Sequence, residues 1–338
     1  MKDIASIHTP VLLDKCVGLV CGGLPGTGSP VIVDCTLGLA GHASAFLQAN
    51  TGAQLIGIDR DRQALDLASR RMESLGLASR FTPVHAAFDE VSGALGWLGI
   101  SHIDAAFMDL GLSSLQIDED ARGFSYSHDV PLDMRMDTSQ TLTAKDILAR
   151  YPQDALARIF RDYGQERYSS LIAARIVQYR GKNGDIITTG QLSRLIDDSV
   201  PRAHRAAGNP AKRVFQALRI EVNGELDKLA RTLPQLAMHL NRGGRIVVES
   251  YHSLEDKAVK SFMAQGLHAD VPDRLPVVPD SARPFFKDLT HGAAKADADE
   301  IQRNPRSSSV RLRAVELIRE LPSRWKKRWG KGSLSNQT

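Results

Sequence analysis

Three short, largely apolar runs each end in an aspartate. Val31-Ile32-Val33 stops at Asp34, Leu55-Ile56-Gly57-Ile58 stops at Asp59, and Ile103–Met108 stops at Asp109. These runs do not alternate between apolar and polar residues, so they predict strands buried on both faces, as in a parallel sheet. The segments between them are helical in spacing. A glycine-bearing turn leads into a helix around 42–49, and Leu65, Ala68, Met72 and Leu75 mark another over 61–75. A further strand is expected near Phe81–Val84. Strand–helix alternation of this kind predicts an α/β, Rossmann-like doubly wound sheet. In such sheets ligands bind at the carboxyl ends of the strands, where all three aspartates fall.

The alternation then breaks. From about 140 to 208 the pattern is helical, with Thr143 as an N-cap and helices near 153–162, 165–180 and 189–199. Gly181–Gly184 is expected to be a loop, and one long helix to cover 211–231. Strand-like sequence returns at Arg245–Glu249 and again at Ser308–Val315, with a long loop over 266–305. A sheet that resumes after a helical stretch implies an insertion. The expected division is a discontinuous sheet domain, 1–113 and 209–338, around an all-helical domain at 114–208. The basic tail, 316–338, need not be ordered.

A chain of 338 residues with 42% hydrophobic content can bury a large core. No apolar run approaches the roughly 18 residues needed to span a bilayer, and Met1-Lys2-Asp3-Ile4 lacks the layout of a signal peptide. A cytoplasmic location with no membrane partner is therefore expected. Cys16, Cys21 and Cys35 match no zinc spacing, so no metal is expected, and an odd count argues against a disulfide framework. The net charge of +4 favours a polyanionic partner, and its distribution is uneven. Arg202, Arg205, Lys212, Arg213 and Arg219 cluster without an acid, and ten Lys/Arg between Arg303 and Lys331 face two Glu. Trp325-Lys-Lys-Arg-Trp329 interleaves cations with aromatics, a pattern suited to phosphates and unpaired bases; a solvated tail is the plain alternative.

Three constellations carry the chemistry. Asp34–His42 offers small residues, Gly38 and Gly41 among them, through which a backbone approaches a ligand closely. Asp59 ends the next strand, where an acid accepts hydrogen bonds from adenosine ribose hydroxyls; helix capping is the alternative. Phe88 suits either an adenine ring or the core, and His42 either the cofactor or a first helical turn. Asp109, at the head of Asp109-Leu-Gly-Leu-Ser-Ser-Leu-Gln-Ile-Asp118, suits acceptance of hydrogen bonds from an exocyclic amino group held in line with an electrophile. A role limited to cofactor binding is equally open. Glu249–Lys257 ends another strand, and its His252 and Ser253 would share the rim of Asp109 if the strands are neighbours. Ser253 as a helix N-cap with Asp256 is compatible with that.

The chain resembles the RsmH (MraW) family of bacterial methyltransferases acting on cytosine N4 in 16S rRNA. The resemblance rests on His8-Thr-Pro-Val-Leu-Leu13, the Gly38–His42 loop, Asp109–Asp137, Tyr163-Gly-Gln-Glu-Arg167, Arg213–Asn223, the 249–257 segment and Asn304–Arg313. It implies a class I S-adenosylmethionine-dependent methyltransferase domain with a helical insertion, acting on the small ribosomal subunit near the decoding centre. It implies S-adenosyl-L-methionine as cofactor, with binding residues at Ala40, Gly41, His42, Asp59, Phe88, Asp109 and Gln116. Catalytic roles are expected of Asp109, His252 and Ser253. The partner expected is 16S rRNA within the small subunit, with the chain a monomer or a homodimer.

Two residues depart from the family pattern. Ala40 replaces a glycine, which binding tolerates unless that position has a positive φ. Leu115 replaces a proline ahead of Gln116. Three other readings fit less well. An NAD(P)-dependent oxidoreductase would need a third glycine in the first loop. A non-catalytic assembly factor leaves Asp59 and Asp109 without purpose, and a DNA amino-methyltransferase would carry a Pro-Pro-aromatic step after its aspartate.

Overall fold

The computed structural model describes residues 10–111, 122–125, 129–200, 211–269, 271 and 278–334. The chain opens with α1 (Leu13–Cys21) and proceeds through β1 (Val31–Asp34), α2 (Gly41–Ala49), β2 (Gln54–Asp59), α3 (Arg62–Ser74), β3 (Phe81–His85), α4 (Val91–Trp97) and β4 (Ile103–Asp109). Each aspartate of the opening pattern is the last residue of its strand. After the insertion come α10 (Glu225–His239), β5 (Leu240–Ser250), α11 (Ser253–Leu267), β6 (Phe286–Asp288), α12 (Ala298–Arg303), β7 (Arg311–Leu317) and α13 (Ser323–Leu334).

The seven strands form one sheet in the order β3-β2-β1-β4-β5-β7-β6. The first five run parallel, and β7 runs antiparallel to both β5 and β6. This is the class I methyltransferase arrangement. Its order reverses between β1 and β4, the switch point beside which an open sheet leaves a crevice. Fully buried strand residues make the sheet: Ile32, Val33, Ala105, Ala106, Phe107, Met108, Val247 and Val248 all expose nothing. Asp104 ties strand starts together, accepting from Val31 N at 2.8 Å and from Asn241 Nδ2 at 2.8 Å. No described helix is long and apolar enough to cross a membrane.

The chain divides into two compact units, Met1–Gly111 with Leu226–Thr338, and Leu112–Glu225. The second contains α5 (Ala144–Arg150), α6 (Gln153–Asp162), α7 (Ser169–Asn183), α8 (Thr189–Ser199) and α9 (Ala211–Asn223). The expected boundary at 208 is therefore too early. Val214, Phe215 and Leu218 of α9 are buried among Leu156, Phe160 and Ile176 of the insertion, so α9 belongs to that core. The single helix expected over 211–231 is two, because Gly224 adopts φ 60° and ends α9. Thr143 caps α5 as expected, accepting from Asp146 N at 3.1 Å.

Two further readings change. The expected loop over 266–305 carries β6 and α12, both too short to leave a periodic signal. The tail is helical over Ser323–Leu334, and its tryptophans are not free to stack on bases. Trp325 and Trp329 lie one turn apart on one face of α13 and are 4% and 8% exposed. Their rings pack 5.3 Å from each other, and Phe262 and Phe285 lie 5.2 and 5.9 Å from Trp329 and Trp325. Burial of two indoles outweighs the charge of the residues between them, which turn outward.

Candidate active site

Three strand ends converge around one backbone turn. After β1, the segment 35–40 is laced to its neighbours: Cys35 N donates to Phe107 O at 2.9 Å and Leu37 N to Ile58 O at 3.1 Å. Gly38 N donates to Asp59 Oδ2 at 2.8 Å, and Asp61 N to Asp59 Oδ1 at 2.9 Å. Asp109 N donates to Thr36 Oγ1 at 2.6 Å. The glycine loop, Asp59 and Asp109 are thus brought together as expected. The turn is tight. Ala40 has φ 58°, so the alanine sits in left-handed backbone, the condition under which its replacement of glycine carries a cost. A Cβ on Gly41 would meet Pro10 Cγ at 2.7 Å, so only glycine allows that approach.

His42, in the first turn of α2, is buried, with its ring 4.6 Å from that of Phe107. Its Nε2 lies 2.9 Å from Val11 O, a pure acceptor, so that nitrogen carries the proton. Its Nδ1 faces Asp109 Oδ2 at 3.8 Å, too far for a hydrogen bond. Burial lowers the imidazole's proton affinity, only partly opposed by Asp109, which keeps the ring neutral. Cys16, His42 and Glu249 place donor atoms within 4.8 Å of one another. With Nε2–H committed to Val11, that nitrogen has no lone pair for a metal ion. Burial, with Asp109 nearby, drives the Glu249 carboxyl well up.

Tyr251, which the sequence did not single out, is in direct contact with Asp109. Its Oη donates to Asp109 Oδ1 at 2.8 Å, and its ring lies where a Cβ on Gly111 would meet it at 3.2 Å. Burial, then the charges of Asp109 and Glu249, raise its hydroxyl far above the ordinary phenol range, so it stays a donor. The signal lay in register: Asp109 pairs with Glu249 across β4 and β5, which sets Tyr251 just past the strand end at the same rim.

His252 and Ser253 follow Tyr251 at that strand end. His252, not Ser253, is the N-cap of α11, one residue earlier than expected, and Glu255, not Asp256, completes its capping box. Glu255 Oε2 accepts from Tyr251 N at 2.9 Å and from His252 N at 3.2 Å. Glu255 Oε1 lies 3.0 Å from His252 Nε2, close as an ion-pair contact but not aligned as a hydrogen bond. Asp256 instead binds Arg313, Nε to Oδ1 at 2.6 Å. Ser253 is exposed in the first turn. Phe88 is half-buried beside the core on the turn after β3. Gln116 and Leu115 lie outside the described residues.

The residues fit an adenosine-bearing cofactor. Each oxygen of Asp59 accepts a single backbone N–H and keeps a lone pair for a ribose hydroxyl. Gly38–His42 gives close backbone approach, and Phe88 offers an aromatic face.

A family model described as the MraW methylase family matches residues 5–318. The chain is 65% identical over 333 residues to "Ribosomal RNA small subunit methyltransferase H" of Bifidobacterium adolescentis, covering 98% of this chain and 96% of that protein. The protein of the same name in Clavibacter michiganensis is 50% identical, over 93% and 97% of the two chains. Superposition on an rRNA methylase from Streptococcus thermophilus gives a TM-score of 0.40 at 12% identity, covering 92% of this chain and 99% of that one. The fold rests on strand order and direction, not on that likeness.

Proposed function

The chain belongs to the MraW methylase family, and from that premise we propose that it methylates the N4 amino group of one cytidine in 16S rRNA of the small ribosomal subunit. The observation that carries the reading is the convergence of the Gly38–His42 turn, Asp59 and Asp109 at the β1/β4 switch point. S-adenosylmethionine, when bound there, supplies an electrophilic methyl group. Asp59 holds ribose hydroxyls, Phe88 covers the adenine, and the 38–42 backbone admits the rest of the nucleoside. Gln116 is assigned to the same site by the family pattern.

The substrate nitrogen is poorly nucleophilic, because its lone pair is conjugated into the ring. Asp109 counters this at Oδ2, accepting the amino hydrogen and turning the nitrogen toward the methyl. Tyr251 occupies Oδ1, and among the described residues no hydrogen bond is made to Oδ2, the oxygen assigned to act. His42 is neutral and presents a lone pair at Nδ1, so it adds no positive charge to compete for the carboxylate. His252 and Ser253 are assigned to holding the cytosine ring at the rim. The target base must leave its stack to reach a half-buried carboxylate, so a flipped cytidine is the reacting form. Lys and Arg on the insertion position the RNA through phosphates.

The test is methyl transfer from labelled S-adenosylmethionine to small subunits lacking the modification, with the label mapped by nuclease digestion and mass spectrometry. N4-methylcytidine at one rRNA position is the expected product. Label on another base or atom, or none, overturns the reading.

A further inference from the structure

The cationic residues of α13 lie beyond residue 318, where the family match ends, and the methyl-transfer reading gives them no task. From Leu321 to the C-terminus the sequence contains no acidic residue. The helix is pinned through its tryptophan face. Trp325 and Trp329 bury against Phe262 of α11 and Phe285, and the Arg328 guanidinium rests 5.0 Å over the Trp325 ring. At about 100° per residue Lys327 points directly away from both tryptophans, with Arg324 nearest it round the helix and Lys326 and Arg328 on the two flanks. Arg324, Lys326, Lys327 and Arg328 are all exposed. Arg242, exposed in β5, donates from Nε to Ile318 O at 3.1 Å, adding a cation where the chain approaches α13.

We propose that the outer face of α13, centred on Lys326 and Lys327, is a docking surface for the phosphate backbone of the RNA on which this enzyme acts. This rests on the reading of the chain as an rRNA methyltransferase. A membrane-surface helix would turn its tryptophans toward lipid, but here they are consumed by the protein core. What remains outside is a set of point charges, with no exposed aromatic between them to stack on a base. Such a face neutralises phosphates and fixes register without reading sequence. α11 links the rim to this helix: it starts next to His252, and Phe262, against which Trp329 packs, lies about 14 Å along it at 1.5 Å per residue.

The experiment compares the full-length protein with Lys326→Gln/Lys327→Gln and Lys326→Arg/Lys327→Arg. Affinity for small subunits is measured between 50 and 200 mM KCl, alongside the methyl-transfer rate at saturating subunits. Loss of two phosphate contacts makes the slope of log affinity against log salt shallower by about 1.5, so that the fall across this range is roughly 8-fold smaller. The Gln pair is expected to show that change with an unaltered saturated rate, and the Arg pair to restore the wild-type slope. A Gln pair with the wild-type slope overturns the proposal. So does loss of binding to vesicles containing phosphatidylglycerol with rRNA binding unchanged, which would make the face a lipid site. A wild-type protein that binds with the steep slope but transfers no methyl would sink the methylation reading and leave the surface standing.

Discussion

Asp109 is held between two unlike neighbours, a phenol that donates to one oxygen and a neutral imidazole that faces the other without bonding it. Removing the carboxylate and removing its holder therefore have different consequences. Asp109→Asn should lower the saturated transfer rate by about 10²-fold or more, the range for losing a positioned proton acceptor. Tyr251→Phe keeps the ring against Gly111 and deletes only the donor; a hydrogen bond to a charged group is worth about 1.5 kcal/mol, so a roughly tenfold loss is expected. Single-turnover rates with rRNA decide both, and a wild-type rate for Tyr251→Phe would remove the positioning role. Asp34 gives a pH prediction. Burial pushes its carboxyl up to about 7, against the hydrogen bond from Thr36 and with Asp109 and Asp59 adding to the rise. The folded state thus binds the proton more tightly than the unfolded chain. Its contribution is fully present below the ordinary carboxylate range and is lost as pH rises through about 7, amounting to about 4 kcal/mol. Urea titrations at pH 5 and pH 8 should show a smaller stability loss for Asp34→Asn than for the wild type. Equal losses would mean that Asp34 titrates normally.

Elements with a period of their own were legible, and those defined by a partner were not. β1, β2 and β4 announce themselves because both faces are buried, and α6 and α8 because an apolar stripe repeats along each. The break at Gly224 was hidden because apolar spacing continues on both sides of it, and only the backbone φ separates α9 from α10. Tyr251 was hidden for a different reason. Its value lies in strand register with Asp109, more than a hundred residues away in sequence, which no local pattern encodes. Trp325–Trp329 had a visible spacing but two meanings, since one turn of helix suits stacking bases and core packing alike. The structure chooses packing, and Trp325→Ala should accordingly lower stability by about 3 kcal/mol, at the low end for truncating a buried large aromatic. Trp325→Phe should cost less, because it keeps a ring against Phe285. Denaturant titration measures both, and an unchanged midpoint for the alanine variant would mean that the helix is not docked in solution.

Over the whole molecule, the two units have separate cores, and contacts to RNA are assigned to both, whereas those to the cofactor fall on one. The sheet unit has two hydrophobic clusters, one around Met108 and Val248 and the other around Phe46 and Phe107. The insertion has a third, around Phe160, Ile176 and Leu218. Every described residue assigned to the cofactor belongs to the sheet unit. A ligand stabilises the cooperative unit that binds it, by about 2.7 kcal/mol at a hundredfold excess over its dissociation constant. Saturating S-adenosylmethionine should therefore slow amide exchange at 35–42, 57–61, 86–90 and 109–111, and leave α5–α8 exchanging at their unliganded rates. Hydrogen-exchange mass spectrometry reads both sets of peptides in one experiment. Equal protection of the α5–α8 peptides would show that the two cores unfold as one, and cofactor occupancy would then be energetically coupled to the RNA-positioning unit. Protection at 35–42 without any at 57–61 would separate the turn from Asp59, and the assignment of the ribose to that carboxylate would fail with it.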